Sequence, residues 1–328
     1  MTLFRFLLSA SLLLTPAWLY AEDSKQVESW LEKMHTAAHS INYVGSFVYQ
    51  QAKQLTAMRI VHAVDNQNGE RERLVAQDAI GREIIRNKER VIAIMPDIHS
   101  VVVQKGRPES EFPPEFPVDI DELVGNYNFS LGKQERVAGR LAQKIVIKPK
   151  DKFRYGHRLW VDSKTGLLLK KQSLDEQSRV LELFMFTEIQ YKDSIPEDML
   201  EPSVSSKDFK WVEADDAASN AEVEGGWAVR SLPAGFIFDL HRQHNLPNSE
   251  IYADHMIYTD GLTSVSVFVE PLTGKTKKLN GASRLGIVNA FGRVFEKFHI
   301  LAVGEVPLAT VKMISESVYF DASGSVND

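Results

Sequence analysis

Apolar residues recur along the chain with two different periods, and each period predicts a different kind of element. From Val27 to Ala38 they follow one another at three- or four-residue steps behind Ser24, which is the spacing of an amphipathic helix. Further along, apolar and polar residues alternate in short runs, which indicates strands with one buried face. These runs are Tyr43–Tyr49, Met58–Val64, Arg73–Ala76, Arg82–Arg86, Arg90–Ile94 and His99–Val103. Because short polar or glycine-containing segments join them, the pattern predicts an antiparallel meander.

The alternation returns after a proline-rich stretch. Pro108–Pro117 is predicted to be an irregular crossing loop, and Asp119–Tyr127 a short helix. Strands are predicted again at Leu141–Lys148, Arg154–Val161, Leu167–Ser173 and Val180–Ile189. From Val180 to Phe186 the last of these is apolar on both faces apart from Glu182, so something must cover its second face. Either helices pack there, or the sheet curls around an apolar cavity.

A stretch of low hydrophobicity divides the chain. Between Ser203 and Gly226 acidic residues stand among alanine, serine and asparagine, a composition typical of an exposed linker. Beyond it, strands are predicted at Ile251–Tyr258, Ser264–Glu270, Leu285–Phe295 and Phe298–Val306, and a final helix from Pro307 to Val318. The predicted organisation is therefore one domain at 22–204, an acidic linker at 205–226 and a second domain at 227–328.

The first 21 residues have the layout of a cleavable export signal. Arg5 precedes the apolar stretch Phe6–Leu19, and the small residue Ala21 stands just before charged residues. We expect cleavage after Ala21. A retained membrane anchor is the alternative, but the apolar stretch is shorter than the roughly 20 residues that a span needs.

Composition removes several functional classes. The chain has no cysteine, which excludes thiolate catalysis, disulfides and cysteine-bound zinc. Its formal net charge of −6 at pH 7 does not favour general binding to nucleic acid. The basic group at Arg82 and Arg86 is a local exception. It suits a phosphate-bearing or acidic partner, although charges at strand edges that discourage aggregation explain it as well.

The search for reactive residues yields little. His241 and His244, with Asp254 and His255 further on, form the histidine cluster worth testing as a metal site, but a solvated loop is the simpler interpretation. Asp162-Ser-Lys-Thr-Gly166 reads as a turn between neighbouring strands, since the aspartate can bond to turn amides and the glycine can close the turn. We predict no catalytic residues and no cofactor. A cryptic hydrolase around His241 and His244 stays a remote alternative.

Motifs in both halves of the chain resemble the RseB/MucB family of sigma-E regulatory proteins, with a closer likeness to the MucB branch. They are Tyr43–Tyr49, Arg71–Leu74, Gly81–Glu83, Arg136–Arg140, Arg154–Gly156, Asp162–Leu167, Trp227, Leu232–Phe236, Tyr258–Leu262, Ser266–Leu272 and Val303–Leu308. No single motif is specific, but together they cover nearly the whole chain in the same order.

The resemblance implies an α+β protein of the periplasm. Its larger N-terminal domain would be an unclosed antiparallel barrel with helices, akin to the LolA and LolB lipoprotein carriers, and its smaller C-terminal domain a sheet with a helix. Such a protein binds the periplasmic segment of a membrane anti-sigma factor of the RseA or MucA type and shields it from regulated proteolysis. Lipid or lipopolysaccharide signals release it. In the MucB branch the output is alginate production, and family members self-associate.

Residues for these functions are chosen from strand faces and from the shared motifs. The lipid-binding set is Phe47, Tyr49, Ile60, Arg82, Arg86, Ile92, Phe184 and Phe186. The partner-binding set is Tyr258, Asp260, Phe268 and Glu270. Members of the first set can equally be ordinary core, and Asp260-Gly261 has the form of a hairpin turn. The alternative function is a periplasmic lipid or lipoprotein carrier without a signalling partner.

Overall fold

The structure is a computed structural model that describes residues 18–65, 69–77, 81–105, 116–117, 120–213, 226–245, 252–272 and 278–321. Its first part consists of one long helix and a large sheet. The elements are α1 (Trp18–Ala38), β1 (Asn42–Gln51), β2 (Gln54–Asp65), β3 (Gly69–Ala76), β4 (Glu83–Arg86), β5 (Arg90–Met95), β6 (Ser100–Lys105), β7 (Tyr127–Leu131), β8 (Glu135–Val137), β9 (Arg140–Pro149), β10 (Gly156–Asp162), β11 (Leu168–Leu174), β12 (Val180–Lys192) and β13 (Lys210–Glu213). Short 3-10 turns lie at Pro96–Ile98 and Glu197–Met199.

The predicted meander is confirmed. Strands β1 to β6 pair in sequence order, and β12 returns beside β1 and continues through β11, β10 and β9 to β7. Within the described residues β13 and β7 are the two edges of this sheet, so it is an open one. The predicted signal at 1–21 falls largely outside the described residues.

Helix α1 covers the inner face of the open sheet. Its apolar stripe, which includes Val27, Leu31 and Met34, is buried against inward residues of the strands such as Phe47 and Ile60. Each buried side chain of this size removes apolar surface from water that is worth about 1.5–3 kcal/mol. The helix therefore covers the face of β12 that carries Phe184 and Phe186, whereas Leu181, Leu183 and Met185 on the other face are half-buried.

Two sequence predictions in this part were wrong. Asp119–Tyr127 is not a helix, because residues 121–126 form successive turns and Tyr127 opens β7, with Tyr127 and Phe129 buried on one face. The predicted linker is also not structureless at its start. Lys210–Glu213 pairs in parallel with β6, because the sheet edge offers free backbone groups to any extended segment beside it. Residues 214–225 and most of Pro108–Pro117 lie outside the described residues.

The second part is a smaller sheet that packs on one helix. Its elements are β14 (Gly226–Val229), β15 (Ile237–Asn245), β16 (Tyr252–Thr259), β17 (Ser264–Pro271), β18 (Gly281–Leu285), β19 (Val288–Phe295), β20 (Phe298–Gly304), α2 (Leu308–Glu316) and β21 (Val318–Asp321). Six strands pair in the order β15, β16, β17, β20, β19, β18, and β14 pairs with β21. Val311 and Ile314 of α2 are buried against Val267 and Ile300 of the sheet. The overall α+β class with a large open sheet and a smaller second domain is confirmed.

The predicted solvated loop around His241 was wrong. His241 lies in β15, an edge strand in which Ile237 and Phe238 are exposed. Because most other residues of this strand are polar, its sequence does not show the alternation of apolar and polar residues that predicts a strand. In the described part of the chain no helix is long and apolar enough to cross a membrane.

Candidate functional site between the two domains

An arginine from the first domain is buried against the second. Arg154 lies in the segment between β9 and β10 and is 1% exposed. Its Nε donates to Asp260 Oδ2 at 2.5 Å, and its terminal nitrogens donate to Asp151 and to the carbonyl of Ala234. The guanidinium also lies over the ring of Phe236, 5.0 Å from its centroid. A buried cation of this kind is tolerated only when its donors are satisfied, and here partners from both domains satisfy them.

Asp260 receives hydrogen bonds on both of its oxygens. It follows β16, and its Oδ1 accepts from the amides of Leu262 at 3.0 Å and Thr263 at 2.9 Å, which closes the predicted hairpin turn. Its Oδ2 accepts from Tyr127 Oη of the first domain at 2.8 Å as well as from Arg154. Burial raises the pKa of Tyr127 well above its usual range, and the charge of Asp260 raises it further. One carboxylate thus shapes a turn and joins the domains.

The neighbouring residues of the same segment also contact the second domain. Asn289 Nδ2 donates to Tyr155 Oη at 2.8 Å and to the carbonyl of Val306 at 2.7 Å. Thr310 Oγ1, at the start of α2, donates to the carbonyl of Phe153 at 2.7 Å. The Arg154-Tyr155-Gly156 motif of the sequence therefore lies in a docking segment.

A cleft of mixed charged and apolar lining opens beside this contact. It encloses about 340 Å³ and is lined from the first domain by the β11–β12 turn and from the second by β18, β19 and the start of α2. Its lining includes Tyr155, Asp175, Arg179, Arg284, Asn289 and Leu308. Both signs of charge are present beside apolar surface, so the cleft suits a peptide segment that carries charged and apolar side chains.

The predicted lipid-binding residues come together only in part. Phe47, Ile60, Phe184 and Phe186 are buried together in the core under α1, with the rings of Phe47 and Phe184 at 5.2 Å, and Tyr49 packs against them. Ile92 does not join them.

The strand register explains this separation. Ile60 pairs with Leu74, Leu74 with Ile84, and Ile84 with Ala93, so Ile92, one residue before Ala93, faces the opposite side of the sheet. A single cavity that includes Ile92 is therefore wrong.

The two arginines predicted for the mouth of the lipid site are paired within the chain. Arg82 is exposed and bonds to Asp97 at 3.0 Å, and Arg86 bonds to Glu72 at 3.1 Å. A lipid headgroup would have to compete with these carboxylates. The assignment of the remaining core residues to a lipid site stays a prediction.

The predicted partner-binding residues are dispersed. Tyr258 is buried in the core of the second domain, and Phe268 stacks on the ring of His255 at 4.3 Å. Glu270 bonds to Lys278 and His299. Only Asp260 lies at the contact between the domains. Its partner Arg154 belongs to a shared motif and Tyr127 does not, and no spacing rule links residues so far apart in the chain.

Metal-ligating side chains gather at one place, away from the predicted one. His241 Nε2 lies 2.9 Å from Asp254 Oδ1, a single pair, and the side chain of His244 is outside the described ones. In the described part of the chain, the group of three close metal-ligand side chains is His62, Glu70 and Glu72. Sequence reasoning missed this group, because its members lie on two strands whose register was unknown.

Comparison with known proteins identifies the family. The MucB/RseB N-terminal domain model matches residues 26–204, and the MucB/RseB C-terminal domain model matches residues 221–319. The chain belongs to the MucB/RseB family. It is 29% identical over 321 residues to the sigma factor AlgU regulatory protein MucB of Pseudomonas aeruginosa, covering 97% of each. It is also 28% identical to the sigma-E factor regulatory protein RseB of Haemophilus influenzae, over 95% of this chain and 96% of that one.

Solved structures of the MucB/RseB family share the whole fold. The structure of the Pseudomonas aeruginosa MucA/MucB complex matches with a TM-score of 0.71 at 27% identity, over 91% of this chain and 100% of that chain. A crystal structure of MucB matches with a TM-score of 0.61 at 26% identity, over 92% of this chain and 98% of that chain.

Proposed function

We propose that this protein binds the periplasmic segment of a membrane anti-sigma factor of the RseA/MucA type and shields it from regulated proteolysis. The observation that carries the proposal is the similarity over both domains to MucB in complex with MucA. Shielding requires a surface and no catalytic groups, so the proposal includes no enzymatic activity. It also includes export to the periplasm and control of an envelope-stress sigma factor of the sigma-E or AlgU type.

The contact between the domains offers a structural basis for binding. The cleft is lined from both domains, so a partner segment in it would depend on their relative placement. Arg154 and Asp260 fix that placement from the two sides. We therefore propose that the cleft is part of the anti-sigma surface, where Arg284 can meet acidic side chains of the partner, whereas Arg179 is paired with Asp175.

A protection assay tests the function. The periplasmic segment of the anti-sigma factor from the same organism is incubated with its first regulated protease, with and without saturating protein. We expect cleavage to slow at least tenfold. Cleavage at an unchanged rate would refute the proposed function, and capture of acyl lipid without capture of the segment would favour the lipid carrier.

A paired substitution tests the cleft. Arg284→Ala should weaken capture of the segment several-fold in calorimetry, because its guanidinium lines the cleft. Lys148→Ala, at an exposed position of β9, should leave the affinity unchanged. Equal effects of the two substitutions would place the partner elsewhere on the protein while leaving the function itself intact.

Release by lipid is the second component of the proposal. A ligand can release a partner only if it binds the free protein better than the bound one. Lipopolysaccharide or an acyl lipid should therefore restore cleavage in the protection assay and lower the affinity for the segment. Family resemblance supports self-association, which sedimentation of the purified protein with and without lipid would measure.

A further inference from the structure

A row of polar side chains crosses the inner face of the first sheet. Tyr43 on β1 is opposite His62 on β2, His62 is opposite Glu72 on β3, and Glu72 is opposite Arg86 on β4. Glu70 lies two residues before Glu72 and so shares its face. His62 and Glu72 are buried within an otherwise apolar face. Such groups are costly there unless their charges are compensated.

The imidazole and the two carboxylates of this row converge. His62 Nε2 lies 3.1 Å from Glu70 Oε1 and 3.8 Å from Glu72 Oε1. Ligand atoms of the three side chains all lie within 4.8 Å of one another. In a tetrahedral zinc site with bonds of about 2.1 Å, ligand atoms are about 3.4 Å apart. The distances between the ligand atoms of His62, Glu70 and Glu72 therefore lie on both sides of this value. Binding of an ion requires the more distant atoms to move closer together.

A second histidine lies beside Glu70, at the end of α1. His39, one residue beyond the helix, has its Nδ1 3.2 Å from Glu70 Oε2. Its side chain is 30% exposed and that of Glu70 is 22% exposed, whereas that of His62 is 1% exposed. The cluster is thus open to solvent on the side of His39 and Glu70, and an ion can enter there.

The protonation of His62 is fixed by its backbone partner. Its Nδ1 lies 2.9 Å from the carbonyl oxygen of Ile41, which can only accept, so Nδ1 carries the hydrogen. Nε2 is left facing two carboxylates that also only accept. A metal ion between Nε2 and the two carboxylates would satisfy all three groups at once. Metal-ligating histidines commonly donate their second nitrogen to a backbone carbonyl in this way.

A buried hydroxyl beside the cluster is a second observation. Tyr43 is 1% exposed and its ring stacks on that of His62 at 4.8 Å. Its hydroxyl has no hydrogen-bond partner within the described chain, although an unsatisfied buried hydroxyl costs about 1–3 kcal/mol. Tyr43 is opposite His62 in the strand register, and His62 is opposite Glu72, so the tyrosine lies on the same face of the sheet as the cluster. A water bound to a metal ion in the cluster would satisfy it.

We infer that His62, Glu70 and Glu72 form a divalent transition-metal site, completed by His39, whose chemistry fits Zn²⁺. Imidazole and carboxylate ligands suit this ion, and thiolates are not required. Arg86 holds Glu72 from its other oxygen at 3.1 Å and orients it toward His62. The site ties the end of α1 to β2 and β3, so the ion stabilises the inner face of the first domain against loss of its helix.

Calorimetry with ZnCl₂ on chelator-treated full-length protein tests the site. We expect one equivalent to bind and the melting temperature to rise by several degrees in excess zinc, since an ion that binds only the folded state stabilises it. Co²⁺ in the same site should show the visible absorption of a tetrahedral centre. The absence of saturable binding would overturn the inference and leave the contacts of His62 with the two glutamates as structural contacts only.

Substitutions locate the ion. Glu70→Gln and His39→Gln alter partly exposed ligands, so the fold should survive, and each should weaken zinc binding at least tenfold. His62→Gln should abolish it. Glu188→Gln, on exposed β12 surface, and His241→Gln are the controls and should bind as the parent does. Binding that survives Glu70→Gln and His39→Gln, or that His241→Gln removes, would overturn the assignment.

Discussion

Two hairpin turns, one in each domain, use an aspartate in the same way. In the first domain Asp162 Oδ1 accepts from the turn amides of Lys164 and Thr165 at 2.8 and 3.2 Å, and its Oδ2 accepts from Arg140 and Tyr191. In the second, Asp260 Oδ1 accepts from two turn amides, and its Oδ2 accepts from an arginine and a tyrosine. The local geometry is therefore almost identical.

The difference lies in where the arginine and tyrosine come from. Arg140 on β9 and Tyr191 on β12 belong to the same sheet as Asp162, so this turn closes one domain on itself. Arg154 and Tyr127 belong to the other domain from Asp260, so that turn joins two domains. The same arrangement of donors consequently supports folding in one place and domain placement in the other.

The largest expected effect is that of Asp162→Asn. The amide can still accept from the turn but offers a donor where Arg140 and Tyr191 also donate. Removing one partner of a buried charge pair costs about 3–5 kcal/mol, and urea unfolding should report a loss of this size. Asp175→Asn is the matched control, because Asp175 also bonds turn amides and an arginine, but Arg179 is 73% exposed. It should cost less than about 1 kcal/mol.

Acid should reproduce part of the Asp162 effect. Burial alone would raise the pKa of Asp162, but the hydrogen bonds from Arg140, from two turn amides and from Tyr191 outweigh it and lower the pKa. The contribution of Asp162 is therefore present above the unfolded-state pKa of about 3.9 and is lost as the pH falls through the folded-state value. The stability gap between parent and Asp162→Asn should narrow below about pH 4; a gap that widens there would contradict this account.

The sequence predicted one half of each aspartate's role. Asp162-Ser-Lys-Thr-Gly166 and Asp260-Gly261 were both interpreted as turns, which is correct, because turn amides lie two or three residues from the aspartate and local rules describe them. Arg154 and Tyr127 are more than a hundred residues from Asp260, and their approach depends on how the two domains pack. The strand meander was predictable, because the two-residue period of apolar side chains can be read within each strand. The placement of Ile92 was not, because it depends on the register between strands, which no single strand reveals.

Asp260→Asn should lower the free energy of unfolding less than Asp162→Asn does, but should change the relative placement of the two domains more. Because the domains can part and let water reach Arg154, the loss should be about 1–3 kcal/mol, less than for Asp162→Asn. We expect unfolding to change from one transition to two and the radius of gyration in solution scattering to increase. A single transition at the parental midpoint would show that the other contacts between the domains suffice.

Removal of the tyrosine hydroxyls tests the same difference between the two turns with a smaller loss of stability. Tyr191→Phe and Tyr127→Phe each delete one hydrogen bond to an aspartate, at 2.9 and 2.8 Å, which is worth about 1 kcal/mol. Tyr191→Phe should lower the melting temperature of the first domain, whereas Tyr127→Phe should act on domain contact and reduce protection of the anti-sigma segment. If Tyr191→Phe reduced protection and Tyr127→Phe did not, the Asp162 turn and not the Asp260 turn would be the one that supports partner binding.

The smallest change in stability is expected from Glu305→Gln, at a place where two carboxylates from different domains repel each other. Partial desolvation raises the pKa of Glu305 in the second domain, and the charge of Glu182 in the first raises it further, while Lys171 opposes this. A raised acid pKa means that domain contact strengthens as the pH falls through the folded-state value, opposite to Asp162. Glu305→Gln should therefore stabilise the contact at pH 7, by a few tenths of a kcal/mol because the residue is exposed and solvent screens it. Scattering and unfolding at pH 7 and pH 4 measure this, with Glu188→Gln as the control; a stabilisation that persists unchanged at pH 4 would exclude charge repulsion as its cause.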